Sequence, residues 1–344
     1  MLLLRMPTTR VRGMVRYSFL DANDRPTFAR DQRGKRIWGG HWSPNLITNV
    51  GMDALRSERI TSYSSASLLS PTYRTTLRLG TGSTAPAFTD TVLASEVLTS
   101  TSNGGFSNAN AYPDAVGSEI TASYQITRVA EVSAATNFTE YGFSGLTADL
   151  NIRELFRDEH GDPTTISIVA GKKLRVDHTL LVTIPWGAIE YEFDIEEYDA
   201  ADALIATHAI TADCLFVATS SAARARMFKT ALPMVENDGY DYKVGGAFLT
   251  AGSTDPLTEH PSYAHYTVAY EAYVAGSFVQ RGSFTVPEAV ANGNVMGFAL
   301  SPSNTLGANI VANGYRVVFK SPASFTKVDT HTLTFACDWS WARG

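Results

Sequence analysis

The feature that most constrains this chain is that part of it is stated twice. "LRLGTGSTAP" (Leu77 to Pro86) returns as "FLTAGSTDP" (Phe248 to Pro256), which keeps Leu-x-x-Gly-Ser-Thr-x-Pro at Leu249, Gly252, Ser253, Thr254 and Pro256. "YGFSGL" (Tyr141 to Leu146) returns as "MGFALS" (Met296 to Ser301). "VDHTLLVTIPW" (Val176 to Trp186) returns as "VDTHTLTFACDW" (Val328 to Trp339). One inserted residue aligns His178 with His331, Leu180 with Leu333 and Trp186 with Trp339. Gly142 and His178 are 36 residues apart, Gly297 and His331 34. The order of the landmarks is the same in both halves. A repeat of this length is the size of a domain, so it predicts two similar domains and not a solenoid.

The pattern inside each half is that of strands. "ITASYQITRVA", "FTEYGFSGL", "TISIVAG" and "LRVDHTLLVTIPW" alternate apolar with polar residues or run β-branched, as half-buried strands do. "EYEFDIEEY", "YTVAYEAYVAG", "SFVQRGSFTVP", "GYRVVFK" and "HTLTFACDW" do the same later. Asn292-Gly293, Asn313-Gly314 and "RDEHGDP" read as hairpin turns. "LITNVGMDALRS" (46–57) reads as a short helix with Leu46, Val50 and Leu55 on its apolar face, broken by Gly51. "SSAARARMFK" is a candidate helix at the matching place in the second half. At 344 residues and 44% hydrophobic, the chain can fill two cores. The expected fold is mostly β: two tandem β-sandwich domains, 46–187 and 188–344, each with a short helix, after a basic N-terminal arm, 1–45.

The glycine-rich turn at Gly80–Pro86 invites a phosphate-binding reading. It lacks the lysine a P-loop needs, and Pro86 disfavours a helix directly after it. A tight turn is the expectation, with glycine supplying left-handed backbone. Asp194, Glu196, Glu197, Asp199 and Asp202 form an acidic stretch. Paired carboxylates hydrolyse glycosides and clustered ones bind calcium, but a charge run usually marks a solvated face, which is the expectation here. Glu259, His260 and His265 sit close in sequence without the defined geometry a metal site needs, and a loop is the expectation. His178 and His331, at matched positions, suggest a repeated packing role. Trp186, Trp339 and Trp341 suit core or interface packing better than sugar stacking. No catalytic, cofactor-binding or metal-binding residues are assigned. Calcium at Asp194 to Asp202 is left open by the sequence, as is a disulfide between Cys214 and Cys337.

Charge is unevenly placed. Residues 1–45 hold nine basic and three acidic groups, +6, against −12 for the rest of a chain whose net charge is −6. Such a basic segment favours an acidic partner, and its scattered aromatics favour protein over nucleic acid. Arg10, Arg12, Arg16, Tyr17, Phe19, Trp38 and Trp42 are the candidate partner-binding residues. In an extended segment Arg10, Arg12 and Arg16 share one side, with Val11 and Val15 on the other. Apolar runs are too short for a membrane helix, and "MLLLRMP" lacks a cleavage site, so no signal peptide or membrane insertion is expected.

Four stretches taken in order resemble a known family. They are "NLITNVGMDAL" (Asn45 to Leu55), the Gly80–Pro86 turn, "EYGF" (Glu140 to Phe143) and "GDPTTISIV" (Gly161 to Val169). Together they resemble the N-terminal region of bacteriophage tail-fibre-like and related virion structural proteins, over Asn45 to Trp186. The resemblance implies a non-enzymatic, oligomeric component of a phage particle, tail rather than head, made in the host cytoplasm and finally in the virion. Its partners would be other copies of itself and other virion proteins, with no cofactor. A host-surface glycan, bound by a carbohydrate-binding attachment module, and a head decoration or collar role are the alternatives. The long fibre shaft of that family is missing.

Overall fold

The computed structural model describes residues 3–57, 71–111, 118–145, 147–185, 188–218, 243–245, 265–267, 269–286, 288, 293–300 and 313–344. The protein is mostly β, with one α-helix among the described residues. In chain order the strands of the first half are β1 (Leu4–Arg5), β2 (Thr9–Leu20), β3 (Pro26–Thr27), β4 (Ala29–Arg30), β5 (Arg36–Ile37), β6 (Ser43–Ile47), β7 (Thr76–Gly80), β8 (Glu96–Ser100), β9 (Ala109–Ala111), β10 (Glu119–Glu131), β11 (Thr136–Phe138), β12 (Glu140–Ser144), β13 (Leu150–Leu155), β14 (Ile166–Ile168) and β15 (Lys173–Pro185). Those of the second are β16 (Ala188–Tyr198), β17 (Leu204–Ala218), β18 (Lys243–Gly245), β19 (His265–Thr267), β20 (Ala269–Tyr270), β21 (Val279–Val286), β22 (Gly293–Val295), β23 (Gly297–Leu300), β24 (Asn313–Ser321), β25 (Phe325–Lys327) and β26 (Thr332–Arg343).

The chain forms two compact units from alternating segments. The N-terminal unit holds residues 11–111, 123–182 and 343–344; the C-terminal unit holds 1–10, 112–122 and 183–342. The stretch expected as an arm is therefore built into both units. From Leu4 on it supplies β1 to β6, and β2 alternates buried and outward residues along its length, as the sequence suggested.

The two units share one pairing scheme. In the N-terminal unit the ladder runs β9-β10-β15-β2-β6-β13-β12-β7-β8. In the C-terminal unit it runs β20-β21-β26-β16-β17-β24-β23-β18-β19. Each strand of one has its counterpart at the same place in chain order in the other. A separate pair repeats too: β11 with β14, and β22 with β25, both antiparallel. Extra to the scheme are β3, the β4–β5 hairpin joined to β14, and β1, parallel to β26.

This scheme corrects the third sequence landmark. β15 begins five residues after Ile168, and β26 five after Lys327. Burial runs identically over the first six positions of both strands. Leu174 thus matches Leu333, Val176 matches Phe335, and His178 matches Cys337. The His178–His331 match of letters is out of step by six residues. His178 is fully buried in mid-strand, whereas His331 lies in the turn before β26. They share no packing role. The second landmark does fall on counterpart strands, β12 and β23, but two residues out of step, since the spacing from β11 and from β22 sets Glu140, not Gly142, against Gly297. Gly252 and its neighbours, Trp186, the candidate helix at 220–229, Glu259 and His260 lie outside the described residues.

The single helix, α1 (Asn49–Ser57), starts later than expected because Leu46 belongs to β6. Thr48 caps it, its Oγ1 accepting the Gly51 N–H at 3.0 Å. Met52 and Leu55 form its buried face. Gly51 does not interrupt that face. A Cβ there would lie 2.1 Å from the Asn151 carbonyl oxygen, so glycine is what lets the helix meet β13 backbone directly.

Each unit has its own core. In the C-terminal unit Phe298 packs edge-on against Phe193, Phe319 and Phe335, with centroids 6.1, 6.3 and 4.8 Å away. Such aromatic pairs contribute about 0.5–1.5 kcal/mol each beyond their burial. In the N-terminal unit Phe138, Phe143, Phe156, Leu77 and Leu79 are fully buried.

Candidate functional site

The glycine-rich turn holds an anion, and the anion is the protein's own. Glu140, fully buried at the start of β12, accepts the N–H groups of Gly82 at 3.0 Å, Ser95 at 2.9 Å and Ala94 at 3.2 Å. Arg153, on the neighbouring β13, closes the charge: its Nη2 lies 2.9 Å from Glu140 Oε2. The same guanidinium reaches Asp90 and the Thr84 carbonyl, so it ties the far side of the loop as well. A Cβ on Gly80 or Gly82 would lie 2.6 or 2.4 Å from Glu140 Oε1. The glycines make room for a carboxylate where a phosphate-binding loop makes room for phosphate. Sequence reasoning excluded the phosphate and missed the carboxylate, which stands 58 residues away.

The seven residues expected to bind a partner divide by environment. Tyr17 and Phe19 are core: they are 2% and 1% exposed, and Tyr17 Oη donates to the Arg157 carbonyl at 2.7 Å. Burial, with the charge of Asp158, pushes the Tyr17 phenol well up. Arg10 pairs with Glu119. Arg16 pairs with buried Asp177 at 2.8 Å and covers Trp42, 4.8 Å from its ring centroid. Asp177 also takes Arg175 and the Thr127 hydroxyl. Arg12, Trp38 and Trp42 keep an outward surface, and among the described residues Arg12 has no ion pair. Trp38 is 58% exposed and Trp42 39%. Trp38 leans on Phe28, a residue the sequence reading passed over, at 5.5 Å.

The acidic stretch does not converge. Alternation along β16 sends Asp194 and Glu196 to the outer face, while Glu197 turns inward. Glu197 sits between two imidazoles, 2.6 Å from His331 Nδ1 and 2.8 Å from His208 Nε2. Burial pushes its carboxyl up, and the hydrogen bonds from both histidines outweigh this and hold it below the usual carboxylate range. Asp199 organises a hairpin turn instead: its Oδ1 accepts the N–H groups of Ala201 and Ala203, both at 2.9 Å. Asp21, Asp31 and Asp158 build the same turn, each accepting from the residues two and four ahead. The left-handed position is Asp24, Gly34, Gly161 or Asp202, at φ from 59° to 87°. Among the described residues no three His, Cys, Asp or Glu side chains are placed to share a metal ion.

His178 is held neutral by burial and by the Arg74 guanidinium 2.6 Å from its Nδ1. Cys214 and Cys337 are separate free thiols, buried in the C-terminal core, where desolvation pushes both up. A cleft of about 460 Å³ opens in the N-terminal unit beside Arg12, Asn45, Phe88, Arg157 and Arg343. Arg157 and Arg343 already serve Glu154, Gly161, Ile47 and Asn49. Neither a family model, nor a curated protein, nor a solved structure matches this chain.

Proposed function

We propose that this chain is a non-enzymatic structural component of a bacteriophage particle, in the tail as fibre, baseplate or appendage, working as an oligomer. The observation that carries the reading is where the polar chemistry goes. Glu140, Arg153, Asp177, Glu197 and His178 all face inward and are used in holding loops and strands. What faces outward includes Trp38 and Trp42 beside arginines in one unit and a row of carboxylates on β16 in the other, surfaces that suit contact with a partner. The repeated ladder adds support, because a duplicated β domain supplies two scaffolds for surfaces of different charge. The family resemblance over Asn45 to Trp186 gives the reading its particle. Its partners are other copies of itself and other virion proteins.

Exposed Trp38 and Trp42 beside arginines favour one second reading, a module that grips a host-surface glycan. Electron microscopy of purified particles with an antibody label tests both. Labelling at a fixed place on the tail supports the structural role, and labelling at the head moves it to a decoration or collar. Particles without the chain contradict it. Retention on host glycan by Trp42 and Trp38, with no place in the particle, favours the module.

A further inference from the structure

Three cations converge on one ring in the N-terminal unit. Arg36, Lys172 and Arg30 lie 4.5, 4.6 and 5.7 Å from the centroid of Phe28. Exposed Trp38 flanks the same ring. Arg30 and Arg36 stand directly opposite each other across the β4–β5 hairpin. Like charges so placed repel, and the ring offsets only part of that. Arg30 donates to the Gly34 carbonyl and Lys172 to that of Phe28. Among the described residues none of the three has a carboxylate partner. Arg30 and Arg36 belong to a hairpin with no counterpart among the described residues of the C-terminal unit, so the shared scheme does not require it. Such an arrangement calls for an anion from outside.

The C-terminal unit displays the complement. Glu190, Glu192, Asp194 and Glu196 alternate along β16, so they share its outer face while Phe193 and Ile195 fill the core. Successive carboxylates are roughly 7 Å apart along a strand. Asp213, directly across from Glu190 on β17, extends the row. Lys320 reaches Glu190 and Asp213 at one end of it.

We infer that the Phe28 cluster of one copy docks on the acidic row of β16 in a second copy, head to tail. The inference rests on the structural-subunit reading above. Arg30 and Arg36 present planar forks to carboxylates on neighbouring rungs, and Lys172 adds a point charge. Trp38 contributes apolar contact area beside them. Two different surfaces meet, so each copy keeps one of each free for the next, and the contact propagates as a ring or a stack. Charge sets the rate and the register of such a contact, and salt weakens it.

The test is a charge swap in the full chain, read by sedimentation velocity across a salt series. R30E/R36E is expected to weaken self-association at least tenfold, and E192R/D194R to do the same. Both pairs are on outward faces, so circular dichroism and the melting temperature should stay close to those of the unaltered chain. Mixing the two variants, or combining all four substitutions in one chain, should restore association. Association that survives R30E/R36E, or swaps that fail to rescue it, overturns the inference while leaving the structural role intact. Loss of binding to a uronic-acid polysaccharide by R30E/R36E, with self-association unchanged, overturns it in favour of a glycan. A full chain that stays monomeric at low salt and is missing from particles overturns the structural-subunit reading itself.

Discussion

The two units use one ladder and wire it differently. In the N-terminal unit β12 opens on Glu140, buried under a glycine-rich turn and closed by Arg153. β11 and β22 each end one residue before the following strand, so the counterpart of Glu140 is Gly297, which carries no charge. On β15 the inward residue is His178, against Arg74; its counterpart on β26 is Cys337, among apolar side chains. In the C-terminal unit the buried carboxylate Glu197 lies between two histidines. The comparison separates two kinds of information. Apolar alternation and hydrogen-bonded rungs fix the pairing order, and this survives when the buried polar groups change. The buried polar groups fix particular loops, and need not recur.

The sharpest way to break the comparison is at Glu140. Glu140→Ala leaves three N–H groups without an acceptor and takes from buried Arg153 one of its two carboxylates, with Asp90 remaining. About 3–5 kcal/mol of stability should go, read as a drop in denaturant midpoint. The conservative Glu140→Gln should lose less. An Ala variant as stable as the parent would mean that the turn is not held this way. Next in size is Gly82→Ala, which forces a Cβ against both Glu140 and Ala94. About 1–3 kcal/mol is expected, by the same measurement. If Gly82→Ala costs nothing, the close approach to Glu140 is not a constraint.

Much of this contrast lay outside the reach of sequence reading, for physical reasons. The strand character of both halves was legible, because alternation along β2, β10, β15 and β26 is a local signal. That Gly-Phe recurs on counterpart strands, β12 and β23, was legible too. The register of the repeat was not. Letters matched at His178 and His331, whereas the fold matches burial, and Cys337 bears no likeness to His178. Glu140 could not be paired with Gly82 because their contact depends on how β7 and β12 lie together. Gly51 read as a break in an amphipathic helix, since nothing local says that a backbone will come to meet it. Asp199 read as part of a charge run, although three earlier turns, at Asp21, Asp31 and Asp158, repeat its Asp-x-x-(Gly/Asp) signal and could have identified it. Tyr17 and Phe19 read as partner residues because the arginines around them make the stretch look separate from a core. In the fold, alternation buries them beside Val15.

A smaller effect separates the units by pH. Glu197 is held below the usual 4.5 of a glutamate, so its ionised form is favoured by folding. The stability it contributes is complete above that ordinary value and is lost as pH falls through the lower folded one. The melting temperature of the parent should therefore fall towards that of Glu197→Gln between about pH 5 and pH 3. A gap that stays constant over this range would show that the two histidines do not hold the carboxylate ionised. The smallest expected effect is a gain. Of the four Asp-led turns, two place glycine at the left-handed position and two place aspartate. Asp202→Gly should stabilise the C-terminal unit by about 0.5 kcal/mol, because glycine takes that backbone without strain. A loss in chemical denaturation would mean that the Asp202 side chain has a role of its own there.

The central claim is one pairing order used twice with different buried polar groups. An experimental structure of the chain at side-chain resolution tests it most directly, by superposing the C-terminal unit on the N-terminal one through the ladder alone. The account predicts that Phe138 falls on Val295, Ile166 on Phe325 and His178 on Cys337, with Glu140 over Gly297. Different strand orders in the two units, or a superposition that brings His178 onto His331, would contradict it.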